Sequence, residues 1–232
     1  MTEFIKNEAY ILLGPPGSGK SSLTKDLVTR TQAQLVRGRD ICPPELRKAH
    51  EAKRVMILDE QFIPPLVSKL EGLTAEGVEK IVFDNIPRTH EQAVVLVGWA
   101  NTSGFRLNTI LLSLTEAEVF NRALNRFICP QCENSYHPQA KPAIVDGYCD
   151  LDGLMLVRRI GDREENLTHA YSQHQATVEE VVPVLSVAGN LHQISASGTV
   201  HEVTRRVFDS LFDPEQSLRS TIPHDRESSC FV

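Results

Sequence analysis

The segment Gly14-Pro15-Pro16-Gly17-Ser18-Gly19-Lys20-Ser21 constrains this chain more than any other stretch of it. It meets the phosphate-loop pattern of Gly, four free positions, Gly, Lys and then Ser or Thr, and its flanks suit that pattern. Residues 9–13 are a short apolar run that reads as a buried strand, and 21–30 have helical character. The loop glycines let the backbone bend until successive N–H groups point inward, and the positive end of the following helix adds to their field. Such a cradle fits phosphate oxygens. A chain that opens this way lays down strand, tight loop and helix in order, the first unit of a parallel sheet covered by helices.

The pattern also assigns chemistry within the loop. Lys20 bridges the β- and γ-phosphates and the Ser21 hydroxyl holds magnesium, while Gly14, Pro15, Pro16, Gly17, Ser18, Gly19 and Ser22 lie along the triphosphate. ATP with Mg²⁺ is therefore the expected substrate complex. Asp84 ends the apolar run 81–83, so its carboxylate emerges at the carboxyl edge of a strand, where open α/β sheets bind ligands. A solitary Asp there is ordinarily a turn or cap residue. With a phosphate loop upstream, Asp84 is expected to orient the magnesium ion through water.

Apolar runs at 81–83, 109–114 and 191–194 are separated by segments long enough for helices, which predicts an α/β fold with a doubly wound parallel sheet. Two stretches interrupt the alternation. Residues 37–67 are helical in pattern but broken by Pro43, Pro44, Pro64 and Pro65, and residues 127–163 are rich in Cys, Gly and Pro. Both read as lobes inserted on a core made of 8–36, 68–126 and 164–212. Residues 164–185 predict a long helix with Pro183 as its kink or stop, 200–212 a closing helix, and the polar 213–232 a disordered tail.

Charge narrows the partners. The formal net charge is -6 with both signs dispersed, so the chain carries no basic footprint for nucleic acid or an anionic membrane. The N-terminus is mixed and acidic, and no apolar stretch approaches membrane-spanning length, which predicts a cytoplasmic chain. A monomer with small-molecule partners is expected.

Five cysteines are an odd number for a disulfide framework, and Cys129, Cys132 and Cys149 share one turn-rich segment. Cys129-Pro130-Gln131-Cys132 and Cys149-Asp150-Leu151-Asp152 place two ligand pairs on two knuckle-like turns. A tetrahedral Zn²⁺ held by Cys129, Cys132, Cys149 and Asp152 would staple them into a small hairpin lobe. The alternative is a metal-free lobe held by hydrogen bonds, with reduced cysteines packed inside.

The stretch Phe83-Asp84-Asn85-Ile86-Pro87-Arg88-Thr89-His90-Glu91-Gln92 resembles the signature of the adenylate kinase family, in which a strand-ending Asp precedes Gly-Phe-Pro-Arg-Thr. Asn85 and Ile86 stand here at the Gly-Phe positions. The similarity extends from about residue 10 to 203, through the phosphate loop, the signature, a cysteine-bearing lid carrying Tyr136 and His137, and the turn Ser195-Ala196-Ser197-Gly198. It implies a P-loop core with a helical NMP-binding lobe at 37–67 and a small β-rich lid at 127–163. It also implies that Arg88 clamps the acceptor phosphate, Gln92 hydrogen-bonds the acceptor base, Arg122 and Arg126 grip phosphates, and Arg159 faces the transferring group from the far end of the lid. Arg122 and Arg126, four apart, are expected on one helix face.

Three positions depart from the family pattern. Cys42 stands where an acceptor-phosphate arginine is usual, in the segment Arg37-Gly38-Arg39-Asp40-Ile41-Cys42, where Arg37 or Arg39 offers a substitute cation. Gly161 replaces one of two paired acids, and Ala170 stands at a catalytic arginine, with Arg163 the nearest candidate replacement. The implied reaction is γ-phosphoryl transfer from ATP to a nucleoside monophosphate, with AMP as the expected acceptor. The alternatives are a kinase for another small acceptor, or a nucleotide-binding module with little turnover.

Overall fold

The computed structural model describes residues 7–47, 57–159 and 162–212. Three expectations, the disordered tail at 213–232, the glycine at 161 and the part of the acceptor lobe at 48–56, lie outside them.

The first strand, β1 (Asn7–Leu13), runs into the glycine loop and then into α1 (Lys20–Thr31). There follow β2 (Gln34–Arg37), the short α2 (Gly38–Ile41), α3 (Asp59–Ala75), β3 (Lys80–Asp84), α4 (His90–Ser103) and β4 (Phe105–Ser113). Next come α5 (Glu116–Leu124) and three two-residue strands, β5 (Phe127–Ile128), β6 (Ser135–Tyr136) and β7 (Val157–Arg158). The chain returns through α6 (Glu164–Ala188), β8 (Asn190–Ser195) and α7 (Val200–Phe212).

Five strands pair in the order β2-β3-β1-β4-β8, all parallel, so every strand's carboxyl end emerges on one edge. Residues Ala9 to Leu13 of β1 are buried because helices cover both faces, which is why that stretch reads as a continuous apolar run. One core cluster joins the sheet to α3, α4 and α6, and a second joins it to α1 and α7. Trp99 belongs to the first, packed against Phe105 at 4.5 Å and edge-on to Phe83 at 6.1 Å, as plain core packing requires. The short strands form a separate antiparallel sheet in the order β6-β5-β7.

Two helical expectations need correction. Pro64 and Pro65 do not break the chain; both lie inside α3. Each removes a hydrogen bond and crowds a carbonyl, a cost of about 3 kcal/mol per proline. Against that, Phe62, Leu66, Leu70 and Leu73 are buried at helical spacing, and each contributes about 1.5–3 kcal/mol. Packing therefore outweighs propensity. Likewise Pro183 lies within α6, which continues to Ala188. The edge strand β2 was not anticipated.

Candidate active site

The glycine loop joins β1 to α1 at the carboxyl edge of the sheet. Gly17 and Gly19 adopt φ of 76° and 88°, the left-handed region that glycine enters without a Cβ penalty. Gly14 is fixed by proximity instead: a Cβ there would lie 2.8 Å from Ser18 Oγ and 2.9 Å from Leu112 Cβ. Lys20 folds over the loop, donating to the Gly14 carbonyl, to the Pro15 carbonyl at 2.9 Å and to Ser18 Oγ at 3.4 Å. Burial lowers its pKa to about 8, with the Asp84 carboxylate opposing the shift.

Asp84 ends β3 and enters the same cavity, as expected from the strand boundary. Burial raises its pKa, and Lys20 pulls it back down. Ser21 and Asp84 both line the cavity and offer oxygen ligands, a set suited to a hard cation. After β3 the chain turns through Asn85 at φ 66°, a conformation open to Asn more readily than to most side chains. That is the physical reason Asn85 can occupy a signature glycine position. Ile86 is fully buried, and Arg88 lines the cavity with its pKa lowered by burial while Asp84 opposes.

A single cavity of about 940 Å³ collects the loop, Asp84, Arg88, Arg122, Arg126 and Arg159. This volume is at the upper end for ligand pockets. Its lining also takes in Arg37, Arg39, Lys141, Val200 and Thr204. Arg122 sits in the last turn of α5 and donates to the Gly198 carbonyl at 2.6 Å.

Arg126 is not on that helix. The helix ends at Leu124 with Asn125 as its C-cap, so Arg122 and Arg126 reach the cavity from a helix and from the following link. The i,i+4 spacing was sound only if the helix continued. Arg126 binds Asp162 through two bonds of 2.7 and 2.5 Å. Arg159 lines the cavity, whereas Arg158 turns away, donating to the Leu124 carbonyl at 3.2 Å and covering the Phe127 ring.

Gln92 does not line the cavity. It is 4% exposed, its Nε2 donates to Asp59 Oδ1 at 2.7 Å, and its Oε1 accepts from the Arg88 backbone N–H at 2.9 Å. Cys42 is also withdrawn, buried in the core cluster beside α3, with burial raising its thiol pKa. Arg37 and Arg39 do reach the cavity, Arg37 paired to Asp40 at 2.7 Å. Ala170 lines it, but Arg163 is exposed at the N-cap of α6 and is not among the lining residues. The sequence reading missed His174, which lines the cavity four positions beyond Ala170 on the same helix. The helical period placed it on that face, although nothing in its local sequence marked it.

Above the cavity, the ligand atoms of Cys129, Cys132, Cys149 and Asp152 lie within 4.8 Å of one another. Cys132 Sγ is 3.5 Å from Cys149 Sγ, and Cys129 Sγ is 3.1 Å from Asp152 Oδ2. Four ligands about 2.0–2.3 Å from a common centre would be spaced in this range. Burial pushes the Cys129 thiol pKa up to about 11, and the backbone N–H groups of Gln131 and Cys132, 3.4 and 3.5 Å from its Sγ, oppose that shift. The cluster is compatible with Zn²⁺. The turn that carries it also reaches α1 and α2: Lys25 donates to Asn134 Oδ1 at 2.9 Å, and Arg39 lies 3.8 Å from Glu133.

A glycine loop feeding a helix at the carboxyl edge of a five-stranded parallel sheet, facing arginines from three other segments, defines a P-loop phosphotransferase. Known proteins agree. The family model "Adenylate kinase, active site lid" matches residues 126–160. The adenylate kinase of Acidothermus cellulolyticus is 29% identical over 211 residues, covering 87% of this chain and 96% of the relative. Those of Thermococcus onnurineus and Thermococcus kodakarensis are 26% and 27% identical, each covering 85% of this chain and 91% of the relative. The chain is thus similar to adenylate kinases along most of its length. Among the described residues no helix is long and apolar enough to cross a membrane.

Proposed function

We propose that the protein is a nucleoside monophosphate kinase that moves the γ-phosphate of ATP reversibly onto AMP, giving two ADP. The observation that carries this reading is the meeting of Lys20, Asp84, Arg88 and the lid-root arginines Arg126 and Arg159 in one cavity. The arrangement supports a loop that cradles a triphosphate, with a second anion held at Arg88. Lys20 closes on the β- and γ-phosphates, while Arg122, Arg126 and Arg159 neutralise charge that spreads over the transferring group. Magnesium, held by Ser21 and through water by Asp84, would supply charge neutralisation between the phosphates. No dedicated base is required, because positioning and electrostatics carry most of phosphoryl transfer.

The lid and the acceptor side close over the two nucleotides so that transfer outruns hydrolysis. A Zn²⁺ ion bound by Cys129, Cys132, Cys149 and Asp152 has an architectural role there. Structural zinc contributes on the order of 10–16 kcal/mol of apparent binding free energy, more than so small a sheet can gain by burial. The chain acts as a cytoplasmic monomer on small-molecule partners alone.

One observation favours a different nucleoside monophosphate as acceptor. Cys42 and Gln92, which stand at acceptor-contacting positions of the family, are both withdrawn from the cavity, while Arg37 and Arg39 enter it. Product analysis with Mg·ATP and a panel of monophosphates decides between the two. Conversion of AMP alone supports the first reading, faster conversion of another monophosphate supports the second, and no ADP from any of them overturns both.

A further inference from the structure

Helix α6 forms one wall of the cavity, and Thr177 fixes that wall to the acceptor side by donating to the Arg88 carbonyl at 3.2 Å. His174 lies just before Thr177 on the same face and within electrostatic reach of Lys20. Among the described residues no group hydrogen-bonds to its ring. The imidazole is half-buried and lines the cavity, near the lysine of the phosphate loop and one helical turn before the Thr177 that contacts the Arg88 carbonyl.

We propose that His174 is a catalytic residue of the transfer, donating a ring hydrogen bond to a non-bridging oxygen of the phosphoryl group as it passes from the Lys20 side to the acceptor held at Arg88. The ring takes up a proton from solvent when the phosphates of both nucleotides are bound beside it. This role rests on the kinase reading above.

The charged groups of the cavity set the sign of the effect. Lys20 acts on it from the loop; the other charged groups of the same cavity include Asp84 and Arg88 at the end of β3, Arg126 and Arg159 at the two roots of the lid, Arg37 and Arg39 on the β2–α2 side, and Glu180 on its own helix. Arg126 is offset by Asp162 and Arg37 by Asp40. Burial, with Lys20 adding to it, pushes the His174 pKa down to about 4. Bound polyphosphate brings negative charge into the same space and raises it again. The wall formed by Ala170, Gln173, His174, Thr177 and Glu180 holds no permanent cation, so His174 is the one member of that set able to become positive near neutral pH.

The test is steady-state kinetics of the full-length wild type, His174→Gln and His174→Asn, from mildly acidic to mildly alkaline pH, with Mg·ATP and the best monophosphate. It is joined by NMR titration of the His174 ring in the wild type with Mg·AMP-PNP plus that monophosphate. Wild-type kcat should fall as pH rises through the ring's pKa in the complex. The variants should lose about 10²-fold in kcat, keep KM for ATP within about twofold, and show no such fall. A variant with wild-type kcat and the wild-type alkaline limb overturns the role, and so does a ring whose pKa does not rise with nucleotide. A wild type that phosphorylates no monophosphate overturns the kinase reading itself, an outcome distinct from the other two.

Discussion

Arg126 and Asp162 join the two roots of the lid through a pair of guanidinium–carboxylate bonds, Nε to Oδ2 at 2.7 Å and Nη2 to Oδ1 at 2.5 Å. Their side chains are 20% and 8% exposed, so the pair is largely shielded from water. Such bidentate pairing fixes orientation as well as charge. It holds Arg126 at the cavity wall in the geometry described above.

Asp162→Asn should therefore loosen the base of the lid while leaving the sheet intact. Losing one partner of a shielded, charge-assisted bond costs about 1–3 kcal/mol, which for a chain of this size lowers Tm by about 2–10 °C. Differential scanning calorimetry checks this, and an unchanged Tm would show that the pair contributes nothing net.

Lys20→Ala should reduce turnover by at least about 10³-fold, because a cation meeting the transferring phosphates is lost, with the far-UV spectrum unchanged. The wild type should also show a pH effect on Mg·ATP affinity. With the Lys20 pKa lowered by burial to about 8, the ammonium that pairs with phosphate is present below that pH and lost above it. Affinity should fall about tenfold per pH unit on the alkaline side, and isothermal titration of Lys20→Arg should show a flatter dependence.

Elemental analysis of purified protein should find close to one zinc per chain, and Cys132→Ser should remove it. A strong chelator should then speed amide exchange across 127–159 without altering exchange in β1 or β4. Zinc-free protein with the same exchange rates would assign the lid's order to its hydrogen bonds.

Gln92→Ala should act on stability and leave the choice of acceptor base unchanged. The substitution strands the Arg88 N–H and leaves Asp59 Oδ1 with Thr89 Oγ1 as its remaining donor, with a cost of about 1–3 kcal/mol. A denaturant melt measures the first effect and the monophosphate panel the second; an altered base preference with an unchanged melt would reverse the assignment.

What the sequence made legible is what local chemistry dictates. The glycine loop was readable because its conformation and its charges are encoded in adjacent residues, and Asp84 because a strand's end places it. The knuckle pairs were readable because ligand spacing is short-range. The strand β2 escaped notice because Gln34-Leu35-Val36-Arg37 has only two apolar residues, and its pairing with β3 is non-local. Arg126 was assigned to the wrong element because four-residue spacing does not reveal where a helix stops. The withdrawal of Gln92 depends on Asp59, 33 positions away, and the exposure of Arg163 depends on how α6 begins.

Glu133 and Asn134 directly follow Cys132, and between them they touch α2 and α1, one from each side of the cleft. The Cys129 N–H donates to the Asn134 carbonyl at 2.9 Å and the Glu133 N–H to the Cys129 carbonyl at 3.1 Å, so the two fasteners share a single rigid mount. Whatever stiffens that mount sets how long the cover stays shut. Turnover limited by product escape would then be governed by the turn that anchors the cover rather than by the groups that carry the phosphoryl transfer.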